Sequence, residues 1–365
     1  MYKRQVQEAI PQETSAQASA DAVRVRIADA LELQVDPFDE RSVSFVQQAW
    51  ELALFDLLSD SDADHDSVRD AAEQAFQLLR VLSPPGTAPD AGRFLVKLGC
   101  LGLLADRQAD AARLLATHAL PEESTDSDWG DRTQSSIWNA WLRLIRKSGW
   151  QDFDAVTSSI EDLKAAQREF EAQYLAVENS QARTRAWELV ALYHLAHAAE
   201  LLAEFSTTGG IAGRYDIREQ LDSQFDRAIS GCRRGELVEL EVLLLLIRAS
   251  AYRLIENSIW TVTRAVNSRV TDFVNSAVER GRQRPLFEVL PPQRHALRER
   301  GVLGGASRSV VVSLPTSSGK TLIAEFRMLQ ALNQFEREHG WVAYLAPTRT
   351  LVNQITRKLR EDFSP

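Results

Sequence analysis

Ser309-Val310-Val311-Val312-Ser313-Leu314-Pro315-Thr316-Ser317-Ser318-Gly319-Lys320-Thr321 is the stretch that decides how this chain is read. Three β-favouring valines lead into a small polar loop that closes on Gly-Lys-Thr, and an amphipathic run from Leu322 to Glu338 follows at once. Strand, tight loop and helix in that order is the setting of a phosphate-binding loop. A helix N-terminus presents unpaired N–H groups and the positive end of its dipole, so it favours phosphate. Pro315, Thr316, Ser317, Ser318 and Gly319 are the expected cradle. Lys320 is the expected point charge on the β- and γ-phosphates, and the Thr321 hydroxyl the expected ligand of a nucleotide-bound Mg2+. ATP with Mg2+ is the implied cofactor, with Lys320 and Thr321 as the candidate catalytic pair.

Working outward, the chain of 365 residues has room for two or three domains. Its 44% hydrophobic and 25% charged content is that of a globular protein. Apolar runs such as Val242 to Ile247 are far too short to span a bilayer. Met1 to Gln17 lacks the apolar core of a secretion signal. Cys100 and Cys232 stand far apart in helical patterns, which fits buried thiols in a reducing, cytoplasmic setting rather than a disulfide or metal framework.

The net charge of −9 is unevenly spread. From Gly281 onward 13 Lys or Arg face 7 Asp or Glu, whereas the preceding part carries 29 against 44. A basic segment holding a phosphate loop suits a polyanionic partner.

Residues 1–20 show no sustained apolar period and read as a mobile arm or frayed helix. From Asp21 to about Arg282 apolar residues recur three and four apart, which predicts an all-α domain of about ten helices. Ser42 and Ser67 are the expected N-caps, and Ser83-Pro84-Pro85-Gly86 an expected stop. Trp138, Trp141, Leu142 and Ile145 share one helical face and are expected in the core rather than in a base-stacking surface. A single helix is expected over Ser258 to Arg280. No fixed-length repeat is present, so no repeat family is assigned. Asp60, Asp62, Asp64 and Asp66 alternate as in a calcium loop. However, His65 and Ala71 stand where such a loop needs Gly and Glu, which leaves a solvated acidic loop. His194 and His197, three apart, lack further ligands nearby in sequence for a metal site.

The residues around the phosphate loop carry a resemblance. Leu314 departs from the full G-x-x-x-x-G-K-[ST] pattern, which asks for glycine there. Pro315 to Thr321 instead resembles motif I of the superfamily-2 helicases, particularly the DEAD/DEAH-box and superkiller-like branches. Leu290-Pro291-Pro292-Gln293, 27 residues ahead of Lys320 counted from Gln293, is similar to their Q motif. Trp341-Val342-Ala343-Tyr344-Leu345 reads as a second strand. It runs into Ala346-Pro347-Thr348-Arg349-Thr350-Leu351, which resembles motif Ia. The resemblance implies an incomplete RecA-like α/β domain over residues 283–365, behind the all-α domain. It implies Gln293 as the reader of adenine, with Phe287 near the base, and Thr348 and Arg349 as contacts to a DNA or RNA backbone. It also implies that the chain is the N-terminal piece of a longer helicase. No Asp-Glu motif II follows Thr321, and the 44 residues after it are too few to finish a RecA-like sheet. Such a piece is expected to lack steady ATP turnover. Two alternatives stay open: a helical protein-interaction scaffold carrying a non-functional motor fragment, and a P-loop ATPase that is not a helicase. RNA handling, DNA repair and anti-phage defence are equally compatible pathways, and a protein partner on the helical domain is compatible with all of them.

Overall fold

The structure is a computed structural model that describes residues 10–34, 37–60, 62–118, 127–176, 179–304, 309–314, 319–336 and 339–363. It divides into two compact units, Met1–Phe205 with Gly210–Arg253, and Ser206–Gly209 with Leu254–Pro365.

The first unit is helical throughout its described residues. Its helices are α1 (Gln12–Ala30), α2 (Glu40–Ser59), α3 (His65–Leu79), α4 (Ala88–Leu104), α5 (Gln108–Thr117), α6 (Trp129–Arg146), α7 (Trp150–Leu175), α8 (Asn179–Thr208), α9 (Ile217–Gly235) and α10 (Val238–Asn257). The last turns of α8 and α10 pass into the second unit. Helix α1 starts at Gln12, well ahead of Asp21, because its small residues Ala18, Ala22, Val25 and Ala28 find a buried face that the weak periodicity hides.

Aspartates start many of these helices. Asp39, Asp64, Asp128 and Asp216 each accept a hydrogen bond from a backbone N–H of the first turn, which satisfies an orphan donor and complements the helix dipole. Ser42 and Ser67 are therefore not the caps. Each lies three residues inside, and its hydroxyl donates to the capping aspartate at 2.6 and 3.3 Å. The Asp39 carboxyl is held below the ordinary aspartate range mainly by its bond from Ser42. Part of the acidic surplus of this unit is thus capping chemistry. The break at Ser83 to Gly86 falls where the prolines put it, between α3 and α4.

Helix α6 organises the core of this unit. Ile137, Trp138, Trp141 and Leu142 are at most 2% exposed, and α6 packs against α4, α5 and α7. The Trp141 indole donates to the Leu195 carbonyl at 3.3 Å, and its ring lies against Phe225. Both tryptophans are core, as their spacing predicts.

In the second unit Ile259–Val262 forms one turn, followed by α11 (Ser268–Val278), α12 (Pro291–Arg294) running into a π-type turn at His295–Glu299, α13 (Lys320–Gln334) and α14 (Arg349–Phe363). The single helix expected over Ser258 to Arg280 is broken. Ala265 takes a left-handed φ of 61°, and Asn267 caps a fresh start through its bond from the Val270 N–H. Gly209 also belongs here. Its φ of +74° and the Trp260 ring packed against it leave no room for a side chain, while Trp260 Nε1 donates to the Ser206 carbonyl at 3.0 Å.

Helix α11 is the centre of this unit. Phe273 meets Phe326 of α13 edge-on at 5.4 Å and Phe363 of α14 at 5.7 Å. The expected strands are not formed. Residues 309–314 and 340–346 carry no ladder, and among the described residues the isolated antiparallel bridge is Ser258 with Glu288. A strand exists only through a paired neighbour. Without one, Val311, Trp341 and Leu345 stand 94, 80 and 91% exposed. Among the described residues the expected helices are thus formed and the expected sheet is not.

Candidate nucleotide and nucleic-acid site

Gly319 is the N-cap of α13, in the left-handed region at φ 70°, ψ 38°. Any other residue there would be strained, and a Cβ would collide with Nε2 of Gln293. Lys320 and Thr321 open the helix directly after it, Lys320 exposed and Thr321 half-buried. The first-turn N–H groups of a helix have no intrahelical partners. The pair therefore sits where a bound phosphate would complete the hydrogen bonding. Pro315, Thr316, Ser317 and Ser318 lie outside the described residues.

Gln293 is brought to this turn. It is 5% exposed, its Oε1 accepts from the Leu290 N–H at 2.8 Å, and its Nε2 donates to the Gly319 carbonyl at 3.2 Å. A carboxamide has two donors and two acceptor sites, so these two bonds use half of the Gln293 capacity. The arm that carries Gln293 is laced to the rest of the unit. The Leu286 N–H donates to the Ala277 carbonyl at 2.9 Å, the Val289 N–H to the Asn257 carbonyl at 2.8 Å, and the Arg294 guanidinium to the Asn257 side chain. Phe287 is buried in this lacing, 5% exposed.

Thr348 starts α14. Its Oγ1 accepts from the Leu351 N–H at 3.2 Å and its carbonyl from the Val352 N–H at 3.0 Å, so its hydroxyl serves as a cap. Arg349 follows on an exposed first turn, and Arg357 and Arg360 are exposed further along the helix. Among the described residues, Thr348 and Arg349 share no hydrogen bond or ion pair with Gly319, Lys320 or Thr321.

The pattern-based reading missed a charged group. Glu325 of α13 is fully buried, and neither of its carboxylate oxygens has a well-formed hydrogen bond. Lys358 of α14 places its Nζ 3.0 Å from Glu325 Oε1 and 2.6 Å from Asp362 Oδ2. Arg282, ahead of the Gln293 arm, pairs with Asp362. Burial, opposed by Lys358 and reinforced by Asp362, pushes the Glu325 carboxyl up to about 7. The signal was available, since Glu325 stands among Leu322, Ile323, Phe326 and Leu329 on the apolar face of the helix.

Elsewhere the weaker constellations have structural roles. Asp64 caps α3 and Asp60 accepts from the Asp62 N–H at 3.0 Å. His194 pairs with Gln224 at 2.8 Å. His197 is bonded at 3.1 Å to Glu200, whose carboxyl that bond and Lys164 hold down at about 2. Among the described residues no group of three or more His, Cys, Asp or Glu could hold a metal ion, and no helix is long and apolar enough to cross a membrane. A cavity of about 650 Å³ in the first unit is lined by Arg41, Phe45, Gln47, Arg93, Phe94 and Lys97, among others.

Comparison with known proteins meets this geometry at the same residues. Residues 291–365 match the DEAD/DEAH box helicase family. Over 80 residues the chain is 38% identical to the ATP-dependent DNA helicase Hel308 of Thermococcus kodakarensis, which is 22% of this chain and 7% of that protein. The Pyrococcus abyssi Hel308 matches at 38% over 80 residues, 22% of this chain and 10% of its own length. The Methanocella arvoryzae Hel308 matches at 37% over 67 residues, 18% and 8%. The matched stretch thus spans a tenth or less of these relatives.

Proposed function

We propose, from the premise that residues 291–365 belong to the DEAD/DEAH-box helicases of superfamily 2, that this chain contributes the ATP-gripping half of a nucleic-acid helicase or translocase. The observation that carries this reading is the Gln293–Gly319 hydrogen bond, which joins the turn that carries Gln293 to the start of α13. The Gln293 amide would use its remaining capacity on an adenine edge, and Gly319 sets the helix end at which Lys320 would meet the β- and γ-phosphates. The Thr321 hydroxyl would reach the Mg2+ that accompanies ATP, which neutralises phosphate charge when bound. The half-buried position of Thr321 in the first turn fits that ligand. Thr348 and Arg349 would hold one strand through its phosphates, with Thr348 also fixing the helix end that presents its N–H groups. DNA is the first polynucleotide to test, since the named relatives are DNA helicases. RNA is the comparison arm.

Hydrolysis needs a carboxylate pair to hold Mg2+ and order water, and no Asp-Glu pair follows Thr321 in these residues. The 365-residue chain is therefore expected to bind ATP without turning it over steadily. The test is titration with a fluorescent ATP analogue and a malachite-green phosphate assay on the same preparation. Saturable, Mg2+-dependent binding without nucleic-acid-stimulated phosphate release is expected. No binding at any concentration, or robust stimulated release, contradicts the reading.

The helical unit we assign to regulation or partner binding. Val23, Ile27, Leu31 and Leu33 leave one side of α1 and its following turn 49 to 62% exposed, an apolar stripe suited to another protein surface. Deletion of residues 1–34 is expected to abolish any co-purifying partner while leaving ATP binding intact.

A further inference from the structure

Glu325 has no evident reason to be ionisable on stability grounds. It is wholly buried, and the cation it meets, Lys358, is 44% exposed and shared with Asp362. A buried, under-bonded ion pair seldom repays its desolvation, and an apolar residue of the same shape would serve packing as well or better. Its location is more telling than its energy. Thr321 and Glu325 are one helical turn apart on the same face of α13. Lys358 and Asp362 are one turn apart on α14, the helix that Thr348 and Arg349 begin. Arg282 extends the series from Asp362 to the segment leading to Gln293, and also donates to the Ser276 carbonyl at 3.4 Å. The result is a chain of alternating charge, Glu325–Lys358–Asp362–Arg282, that touches α13, α14 and the base of the Gln293 arm. The two helices otherwise share α11 as their packing partner through Phe273, Phe326 and Phe363.

We infer that Glu325 is a positioning residue through which the Lys320–Thr321 start of α13 and the strand-holding helix sense each other, its ion pair with Lys358 carrying the occupancy of one end to the other. The inference rests on the reading of Lys320–Thr321 as a nucleotide site and of Thr348–Arg349 as a strand site. Lys358 has two carboxylates within 3.0 Å, so a small axial shift of α13 alters its sharing between Glu325 and Asp362 without leaving it unpaired. A rigid helix transmits such a shift over a turn because its packed interior does not compress. The coupling is reciprocal by thermodynamic necessity: whatever nucleotide does to strand affinity, strand does equally to nucleotide affinity.

The test measures the Kd of a fluorescent ATP analogue on the full chain, with and without saturating single-stranded oligonucleotide. It compares the unsubstituted protein with Glu325→Gln, Lys358→Met and Lys358→Arg. The unsubstituted chain is expected to show coupling of about 5-fold or more, and Glu325→Gln and Lys358→Met to reduce it below about 2-fold. In those two variants the affinity for each ligand alone should stay unchanged, and Lys358→Arg should keep the coupling. Coupling that persists in both neutral variants overturns the inference. So does a parallel loss of both affinities together with a lowered Tm, which is the signature of a merely structural role. A chain that binds both ligands independently from the outset overturns the inference alone. A chain that binds neither has failed the nucleotide and strand reading itself, and the inference falls with it.

Discussion

The Gln293 side-chain amide donates to the main-chain carbonyl of Gly319 at 3.2 Å, so the turn that carries Gln293 and the start of α13 are bonded to each other before any ligand arrives. Pre-organisation of this kind removes part of the ordering cost of binding. Gln293→Ala would lose this bond and the one from the Leu290 N–H. Each neutral hydrogen bond is worth about 0.5–1.5 kcal/mol. A fall in Tm together with weaker ATP-analogue binding is expected, and a change in neither would remove the bond from any functional account.

Gly319→Ala tests the turn. The left-handed region costs an ordinary residue about 1–2 kcal/mol, and the new methyl would displace Gln293 as well. Chemical denaturation should register a destabilisation of at least that size. Nucleotide titration should register a larger loss than Gln293→Ala gives.

Lys320→Ala separates binding from folding. Lys320 is exposed, so denaturation midpoints should match those of the parent. A charge-assisted contact contributes about 1.5–3 kcal/mol, which corresponds to about 10- to 140-fold in affinity for the ATP analogue. Unchanged affinity would count against Lys320 as the phosphate ligand.

Arg349→Ala should weaken single-stranded oligonucleotide binding about equally across sequences and lower the slope of log Kd against log salt by about one. Thr348→Ala acts differently, because it removes the cap of α14. Its loss should be largely independent of salt, about 1 kcal/mol, and visible in Tm. Equal salt slopes in Arg349→Ala and the parent would argue that Arg349 meets no phosphate.

The Glu325 carboxyl has a pH signature. Its native pKa lies above the unfolded value, raised to about 7 by burial. The charged groups that act on it are Lys358 and Asp362 on α14, with Arg282 on Asp362. Below the ordinary glutamate pKa both states hold the proton. As pH rises towards 7 the unfolded chain releases it first, so this group's contribution to stability is lost over that window. Glu325→Gln should abolish that fall, which is worth about 1–3 kcal/mol between pH 4.5 and 8. Denaturation of both proteins across the range checks it, and parallel curves would refute it.

The helices were legible because apolar spacing is local information. Trp138 and Trp141 could be assigned to the core from their neighbours alone. Caps were misread because Ser42 and Asp39 are both good cap residues in sequence, and which one sits at the boundary is decided by the entry angle of the chain. The strands were read correctly as β-favouring and still did not form, since a ladder depends on non-local partners. In the site, Lys320 and Thr321 follow from the motif. The Gln293–Gly319 bond does not, because it joins residues far apart in the chain. Glu325 was overlooked since pattern reading averages a face, and one acid among four apolar residues vanishes in that average.

The uncovered valines and the Trp341 to Leu345 run have a consequence for the life of the polypeptide in a cell. Val311 and Leu345, 94 and 91% exposed, lie in short, uncharged, β-prone segments that, among the described residues, join no ladder. Such segments are templates for pairing between chains. In a nascent chain these two runs are stretches at risk of pairing with another chain for as long as they stay uncovered.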